Sequence, residues 1–290
     1  MAHAGPGPAG PPPLGPEGFD WTAWPADPAV LAGVALLGGA YAAAILWRRR
    51  VASGVRLEVL KALSFGGFLA VLLGALTGPV HDLSDYYLFS AHMVQHMLLI
   101  FAMPPLLLYG TPGWMLRPLL RDPRLLGLGR LLTRPAGAFT AFNLVLVAWH
   151  LPPLYNLAME HHGVHIVEHL LIMAASVILW WPVLAPLPEL PRAAYPVQLL
   201  YLFVVGLPMV MVAIFISMAD SVLYPYYEAA PRIWEQLTPR ADQHLGGLIM
   251  WIPGGLIFLA AISVVFFRWQ AAGGEDDALP LAETEARHGR

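Results

Sequence analysis

The stretch VQLLYLFVVGLPMVMVAIFISM, residues Val197–Met218, contains no charged side chain and decides the fold class of this chain. A bilayer core is about 30 Å thick, and a helix needs about 20 apolar residues to cross it. Six other stretches meet the same condition, so we predict an all-α, polytopic membrane protein built as a seven-transmembrane-helix bundle. The predicted spans are Ala29–Trp47, Ala62–Val80, Tyr86–Leu108, Ala136–Asn156, His165–Leu187, Val197–Met218 and Gln243–Phe267.

The composition of the whole chain agrees with a surface solvated by lipid. Hydrophobic residues make up 58% of the sequence and charged residues only 12%, whereas a soluble domain carries about 25% charged residues. The net charge of −3 gives no reason to expect nucleic acid as a partner. Because the chain contains no cysteine, disulfides are excluded, and a metal site would need histidine, methionine or carboxylate ligands.

The sequence outside the apolar stretches predicts one membrane domain with two tails. Residues 1–28 are rich in proline and glycine and lack the basic region and apolar core of a cleavable signal peptide. We expect them to form a flexible tail, residues 29–268 to form the seven-helix membrane domain, and residues 269–290 to form a polar cytoplasmic tail.

Basic residues in the loops predict the orientation of the bundle, since they favour the cytoplasmic side. Only Arg232 and Arg240 lie in the loops that would face outward, so we predict that the N-terminus is outside and the C-terminus inside. The other loops hold Arg48, Arg49, Arg50, Arg56, Lys61, Arg117, Arg121, Arg124, Arg130, Arg134 and Arg192.

With this orientation, every histidine outside the tails falls in the outer half of the bundle. Ionisable side chains at membrane depth are costly and mark functional sites. Two pairs are spaced four residues apart, so that each pair shares one helix face and can grip one metal ion. We set His81, His161 and His162 aside as residues of the membrane interface. The predicted metal ligands are His92, His96, His150, His165, His169 and His244.

Three methionines and one aspartate extend this pattern as lesser candidates. Met103 follows His92 and His96 near the same helix face, Met173 continues the row of the fifth span, and Met218 lies at an outer helix end. Thioethers bind Cu(I), although methionine is also an ordinary filler of apolar cores. Asp85 could orient a ligand histidine or cap a helix at the interface.

These residues favour copper over other chemistries. Singly charged Cu(I) among neutral imidazoles costs less in a low dielectric than a doubly charged ion. Haem is the alternative cofactor, because a histidine of the third span could pair with one from another helix. A transporter would place its site between internal repeats, and none is visible. No Ser/His/Asp or paired-carboxylate pattern stands out, so we do not expect an enzyme.

Four segments resemble the CtaG-type assembly factors of caa3 cytochrome c oxidase, over about residues 30–270. They are HMVQHMLL (His92–Leu99), WHLPPLYNLA (Trp149–Ala158), HIVEHLLIMAASVILWWPV (His165–Val183) and DQHLGGLIMWIPGG (Asp242–Gly255).

The resemblance implies a seven-helix, multi-pass protein of the bacterial plasma membrane that is needed to make an active oxidase and acts on its copper centres. Its partners would be oxidase subunits and a copper donor protein, within the lipid bilayer. A metal-free scaffold that docks an oxidase subunit is the alternative. The single-span copper chaperone that shares the CtaG name uses paired cysteines, which this chain lacks.

Overall fold

The computed structural model describes residues 18–51 and 58–276, and no β-strand occurs among them. The predicted tails up to residue 17 and from residue 277 lie outside the described residues, with His3 and His288. Arg56 also lies outside them. The all-helical prediction is confirmed for the part of the chain that is described.

Nine helices of eight or more residues occur in these two ranges. The third contains a wide, π-helical turn at Leu98–Ala102. The helices are α1 Pro28–Val51, α2 Val59–Leu76, α3 Phe89–Gly110, α4 Pro123–Leu132, α5 Pro135–His150, α6 Pro152–Glu160, α7 His162–Leu184, α8 Tyr195–Met218 and α9 Pro239–Asp276. Short helical turns occupy Gly78–Asp82, Leu83–Tyr87, Gly113–Leu116, Arg117–Arg121 and Pro225–Glu228.

Six of these helices are long and apolar enough to cross a membrane, by length and composition: α1, α2, α3, α7, α8 and α9. Helices α4 and α5 meet at an angle of 79°, and together they would make a seventh span. The described residues therefore form a multi-pass membrane protein with six or seven candidate spans.

The fourth predicted span ends earlier than the sequence pattern indicated. We expected a helix from Ala136 to Asn156, but α5 ends at His150 and α6 begins at Pro152. Leu151, which lies between them, is extended, with φ −68° and ψ 129°. A residue before proline is driven out of the helical region, and proline has no N–H to continue the helix. His150 is therefore the last residue of α5.

An aspartate of α9 holds the beginning of α3. The Asp242 carboxylate accepts hydrogen bonds from the backbone N–H groups of Phe89 (2.8 Å) and Ser90 (3.0 Å) and from the Ser90 hydroxyl. The first N–H groups of a helix have no partner within the helix, and a negative charge there is favourable. Asp242 therefore fixes where α3 starts, three residues before His92.

Two adjacent glycines allow α9 to pass close to its neighbours. A Cβ atom at Gly246 would overlap the Phe89 ring, and one at Gly247 would overlap the Ser217 hydroxyl and the Ala213 carbonyl. Glycine is the residue that permits such an approach. The pair therefore brings α9 into direct contact with both α3 and α8.

The wide turn of α3 is tied to α7. The carbonyl of Leu99 accepts a hydrogen bond from the Ser176 hydroxyl (3.1 Å), and that of Ile100 accepts one from the Trp180 indole (2.8 Å). In a π-helical turn the backbone departs from the regular pattern of the α-helix. Side chains of α7 therefore satisfy the carbonyl groups of this turn.

Helix α1 lies at the periphery, and none of its residues is buried. The Tyr41 ring stacks on Phe65 of α2 with a centroid distance of 3.9 Å, and its hydroxyl donates to the carbonyl of Gly110 (3.0 Å). The main apolar core lies instead among the other helices and includes Phe89, Met93, Phe142, Ile172, Val205 and Met209.

Candidate metal centre

Four buried histidines from two helices come together at one end of the bundle. His92 and His96 lie one turn apart on α3, with ring centroids 4.2 Å apart, and His165 and His169 do the same on α7, at 4.4 Å. Across the helices, the His92 ring lies 5.6 Å from that of His165 and 6.0 Å from that of His169. The i, i+4 spacing therefore places each pair on the helix face that meets the other pair.

Glu168 lies among these histidines and is fully buried. Its Oε1 atom is 3.9 Å from Nε2 of both His92 and His96, and its Oε2 atom is 4.0 Å from Nε2 of His165. Two groups of three donors result, each with ligand atoms within 4.8 Å of one another: His92 with His165 and His169, and His92 with His96 and Glu168. His92 belongs to both groups.

Many donor atoms of this group have no hydrogen-bond partner among the described residues. They include both ring nitrogens of His92 and His96, Nε2 of His165 and both oxygens of Glu168. Buried polar atoms are nearly always hydrogen bonded, and each one left unpaired costs about 1–3 kcal/mol. Distances of 3.9–4.0 Å are too long for hydrogen bonds. They suit two ligands that each lie about 2 Å from one metal ion.

Neighbouring side chains contact one ring nitrogen of each of two histidines. Nδ1 of His165 lies 3.5 Å from a carboxylate oxygen of Asp85, and Nε2 of His169 lies 3.3 Å from the amide oxygen of Gln95. When the contacted nitrogen carries the proton, the other nitrogen of the same ring keeps its lone pair for a metal. Both contacts therefore prepare an imidazole to bind a metal.

His150 joins the edge of the cluster from the end of α5. Its ring centroid is 6.1 Å from that of His96, and its Nδ1 donates to the carbonyl of Leu146 (2.7 Å). The buried Nε2 atom has no hydrogen-bond partner among the described residues. The end of α5 before Pro152 thus supplies a fifth imidazole whose lone pair is free.

Gln95 links the cluster to α2 and to the turn before α3. Its amide N–H donates to the carbonyl of Ala75 (2.7 Å), and its amide oxygen lies 3.0 Å from the Ser84 hydroxyl. The same hydroxyl lies 2.9 Å from a carboxylate oxygen of Asp85. These contacts fix the residues that orient His165 and His169.

Tyrosines close one side of the cluster. The Tyr155 ring lies 5.3 Å from that of His92, and its hydroxyl donates to Tyr227, which donates to the carbonyl of Ser84. Burial raises the pKa of the Tyr227 phenol well above its ordinary value. The phenol therefore stays protonated and keeps donating to Ser84.

The structure does not bring His244, one of the six predicted ligands, to the cluster. His244 lies near the start of α9, where its side chain is exposed and its Nδ1 donates to the carbonyl of Ser217 (3.0 Å). The predicted depth of His244 in the bilayer grouped it with the other histidines. In the structure, α9 exposes its side chain and keeps it apart from them.

Of the three predicted methionines, Met103 lies apart from the histidines, Met218 lies at its helix end, and Met173 continues the row of α7. Met103 is buried in an apolar cluster with Phe65 and Phe68, and the wide turn at Leu98–Ala102 lies between it and the histidines. Met218 is 65% exposed at the end of α8. Met173 is partly buried on α7, four residues after His169.

Two of the three histidines assigned to the membrane interface have carboxylate partners. His81 has a side chain only 18% exposed, and its Nδ1 lies 3.4 Å from Asp85. Nε2 of His162 lies 3.6 Å from the carboxylate of Asp27. His161 is exposed.

Sequence reasoning missed Glu168 and Gln95. Glu168 is a carboxylate inside a predicted span, three residues after His165 and next to His169, and that position alone marks a functional candidate. Gln95 stands between His92 and His96, but its partners lie on other segments and leave no signal in the sequence.

The apolar helices and the enclosed donor group define a multi-pass membrane protein with side chains suited to holding a metal ion. The chain belongs to the family of cytochrome c oxidase caa3 assembly factors (Caa3_CtaG), whose model matches residues 39–272. The family assignment made from the four sequence segments is thereby confirmed. The description of the family names assembly of caa3 cytochrome c oxidase.

Curated relatives add little on function. Two similar proteins are uncharacterized proteins of Mycobacterium bovis and Mycobacterium tuberculosis, each 26% identical over 201 residues. The match covers 63% of this chain and 30% of each relative, so the chain spans less than a third of their length. No solved structure is significantly similar to it.

Proposed function

We propose that this protein holds copper at the buried histidine cluster and supplies it to cytochrome c oxidase during assembly. The observation that carries the proposal is the set of enclosed donor atoms without hydrogen-bond partners among the described residues, on His92, His96, His165 and Glu168. A bound ion would satisfy several of them at once. His169 and His150 complete the proposed ligand set, and His244 is removed from it. The protein acts as a chaperone and not as an enzyme.

The charge of the donor set favours Cu(I). Glu168 is the one carboxylate of the proposed ligand set. Beside neutral imidazoles it balances a single positive charge, and a neutral site is the least costly in a low dielectric. Imidazole suits copper, and the chain offers no thiolate. Two donor groups that share His92 allow one or two ions to be held. Copper here is cargo that is taken up and released.

The proposed topology places the cluster near the outer face of a bacterial plasma membrane. With α4 and α5 counted as one span, the number of spans is odd and the termini lie on opposite sides. Basic residues of the loops then set the N-terminus outside and the C-terminus inside. A copper donor protein would reach the cluster from outside, and the oxidase subunit that receives copper would lie beside it in the bilayer.

Haem is a weaker candidate for the same residues. A haem with two histidine ligands needs a flat slot between two imidazoles. The His92 ring instead lies within 4.2–6.0 Å of three other histidine rings and 5.3 Å from Tyr155. This close packing suits a single ion better than a macrocycle.

The test is metal analysis of the whole purified chain with oxidase assembly measured in parallel. We expect bound copper in the wild type, its loss in His92→Ala and His169→Ala, and no change in His161→Ala, which alters an exposed histidine outside the cluster. Oxidase activity should fall in the first two variants only. A wild type without copper, together with active oxidase in the variants, would favour a metal-free scaffold. A Soret band would favour haem.

A further inference from the structure

A cavity of about 270 Å³ lies between α1, α2 and α7 and reaches the histidine cluster. His165 and His169, both members of the cluster, form part of its wall, while Asp27, His81 and His162 line it as well. These three lie at or next to helix ends, since Asp27 precedes α1 and His162 begins α7. The cavity therefore connects polar groups at the end of the bundle with the buried donors.

The donors of α7 that line the cavity follow one face of that helix. His162, His165, His169 and Met173 are spaced by three, four and four residues, which stacks them at successive turns. The row begins with the half-exposed His162, passes two buried imidazoles and ends on a thioether. Imidazole and thioether are both ligands for copper. An ion in the cavity would meet a ligand at each turn.

Carboxylates lie beside this row at its outer part. Asp27 lies 3.6 Å from Nε2 of His162, and Asp85 lies 3.4 Å from Nδ1 of His81 and 3.5 Å from Nδ1 of His165. A carboxylate raises the local concentration of cations and favours their approach. The carboxylates at the outer part of the cavity are thus suited to attract a cation. The donors of α7 along the wall are suited to transfer that cation to the cluster.

We propose that this cavity is the route by which copper reaches the buried cluster, with Asp27 and His162 binding the ion first. The proposal rests on the proposed function. The ion moves by exchange of ligands, from Asp27 and His162 to His165 and His169, and no oxidation or thiolate is needed. The apolar side of the cavity, which includes Leu72 and Leu76, keeps bulk water from the inner ligands.

A second pocket, of about 550 Å³, lies at the ends of α8 and α9 and does not serve this role. His244 and Met218 line it, but none of the histidines of the cluster does. The pocket therefore gives no access to the unpaired donors.

The test fills the cavity without touching a ligand. Gly33 lines the cavity, and a Cβ atom there would meet nothing within 4 Å. Gly39 of the same helix has equally open space but does not line the cavity, so Gly39→Phe is the matched control for Gly33→Phe. The whole chain in detergent is mixed with the coloured Cu(I)–bicinchoninate complex. The absorbance gives both the rate of copper transfer and the final amount bound.

We expect Gly33→Phe to slow the transfer by about tenfold or more, which corresponds to about 1.4 kcal/mol in the barrier. The final amount of copper should equal that of the wild type, and Gly39→Phe should match the wild type in both. Transfer by Gly33→Phe at the wild-type rate would overturn the route and leave the proposed copper site intact. A wild type that takes up no copper would overturn both.

A second pair of variants tests the first binding step. Asp27→Asn with His162→Gln removes the carboxylate and the imidazole at the outer part of the cavity, and we expect transfer about tenfold slower at an unchanged final amount. His161→Gln changes the adjacent exposed histidine and should have no effect on either quantity. Equal transfer rates in the wild type, the double variant and His161→Gln would refute the role of Asp27 and His162.

Discussion

The Glu168 carboxylate lies 3.9 Å from Nε2 of His92, and both groups are buried. The two residues belong to different helices, and neither atom has a hydrogen-bond partner among the described residues. An unpaired carboxylate and an unpaired imidazole at this distance are costly by themselves. Both become favourable when a cation lies between them. With the proposed metal bound, this pair would join the packing of α3 on α7 to metal binding.

Replacing Glu168 with glutamine should separate these two effects. Glu168→Gln keeps the shape of the side chain but removes its charge, so we expect copper affinity to fall by at least about tenfold, or 1.4 kcal/mol. The copper-free protein should unfold at the same or a higher temperature, because a buried carboxyl group without a partner is replaced by a neutral amide. Cu(I) competition titrations and thermal unfolding measure the two quantities. Glu160→Gln, at the exposed end of α6, is the control. Unchanged affinity would refute Glu168 as a ligand.

Asp85 should act through His165. Asp85→Asn removes the charge that faces Nδ1 of His165, and losing such a partner lowers metal affinity by about 10–100-fold. Asp220→Asn alters a fully exposed aspartate and is the control. The same titration measures both variants. An Asp85→Asn protein with wild-type affinity would leave Asp85 a purely structural role.

His244 should be dispensable for copper binding. His244→Ala changes an exposed imidazole outside the cluster, so the amount of copper bound should equal that of the wild type. His165→Ala, which removes a buried donor, should lower it. Metal analysis of the two purified variants measures the copper bound by each. Copper loss in His244→Ala would restore it to the ligand set.

Asp242 should stabilise the start of α3. Asp242→Asn weakens hydrogen bonds from Phe89 and Ser90 to a charged acceptor, and such bonds contribute about 1.5–3 kcal/mol each. We expect a lower unfolding temperature and, because His92 follows within one turn, weaker copper binding. Asp220→Asn, at a fully exposed position, should leave the unfolding temperature unchanged. Equal unfolding temperatures in both variants would count against the helix-capping role.

The contact of α9 with α8 can be tested at Gly247. Gly247→Val would press its side chain against Ser217 and the Ala213 carbonyl, and overpacking of this kind costs about 1–3 kcal/mol. Gly255→Val, on the same helix with open space around it, should change stability by about 0.5 kcal/mol or less. Thermal unfolding in detergent compares the two. Similar losses of stability in the two variants would indicate a general effect of valine in this helix.

Hydropathy and helical spacing predict much of this molecule. Apolar length gives the membrane helices, and the i, i+4 spacing gives the two histidine pairs, because both depend on residues near one another in the sequence. The exceptions depend on contacts between helices. Depth alone grouped His244 with the others, whereas the face that α9 presents is set by the close approach at Gly246 and Gly247. Glu168 becomes a candidate ligand only when α7 packs against α3.

The end of α5 shows a different kind of error. Pro152 and Pro153 stand in the sequence where the predicted span continued to Asn156. Apolar composition favoured one long helix, but the backbone geometry imposed by proline ended it at His150. The effect of proline on the adjacent backbone therefore outweighed the apolar composition in setting the end of this helix.

The wide turn of α3 divides that helix into two registers. Before the turn, the helix presents His92 and His96 to α7. After it, Met103 lies in the apolar cluster with Phe65 and Phe68 of α2. The carbonyls of Leu99 and Ile100 receive Ser176 and Trp180 from α7, which fixes how the two helices mesh. The spacing between the donor pairs is therefore also set by hydrogen bonds outside the cluster, about one turn beyond His96 on α3 and two to three turns beyond His169 on α7. Insertions or deletions in this turn would change the distances between the proposed ligands while every ligand residue remained in the sequence.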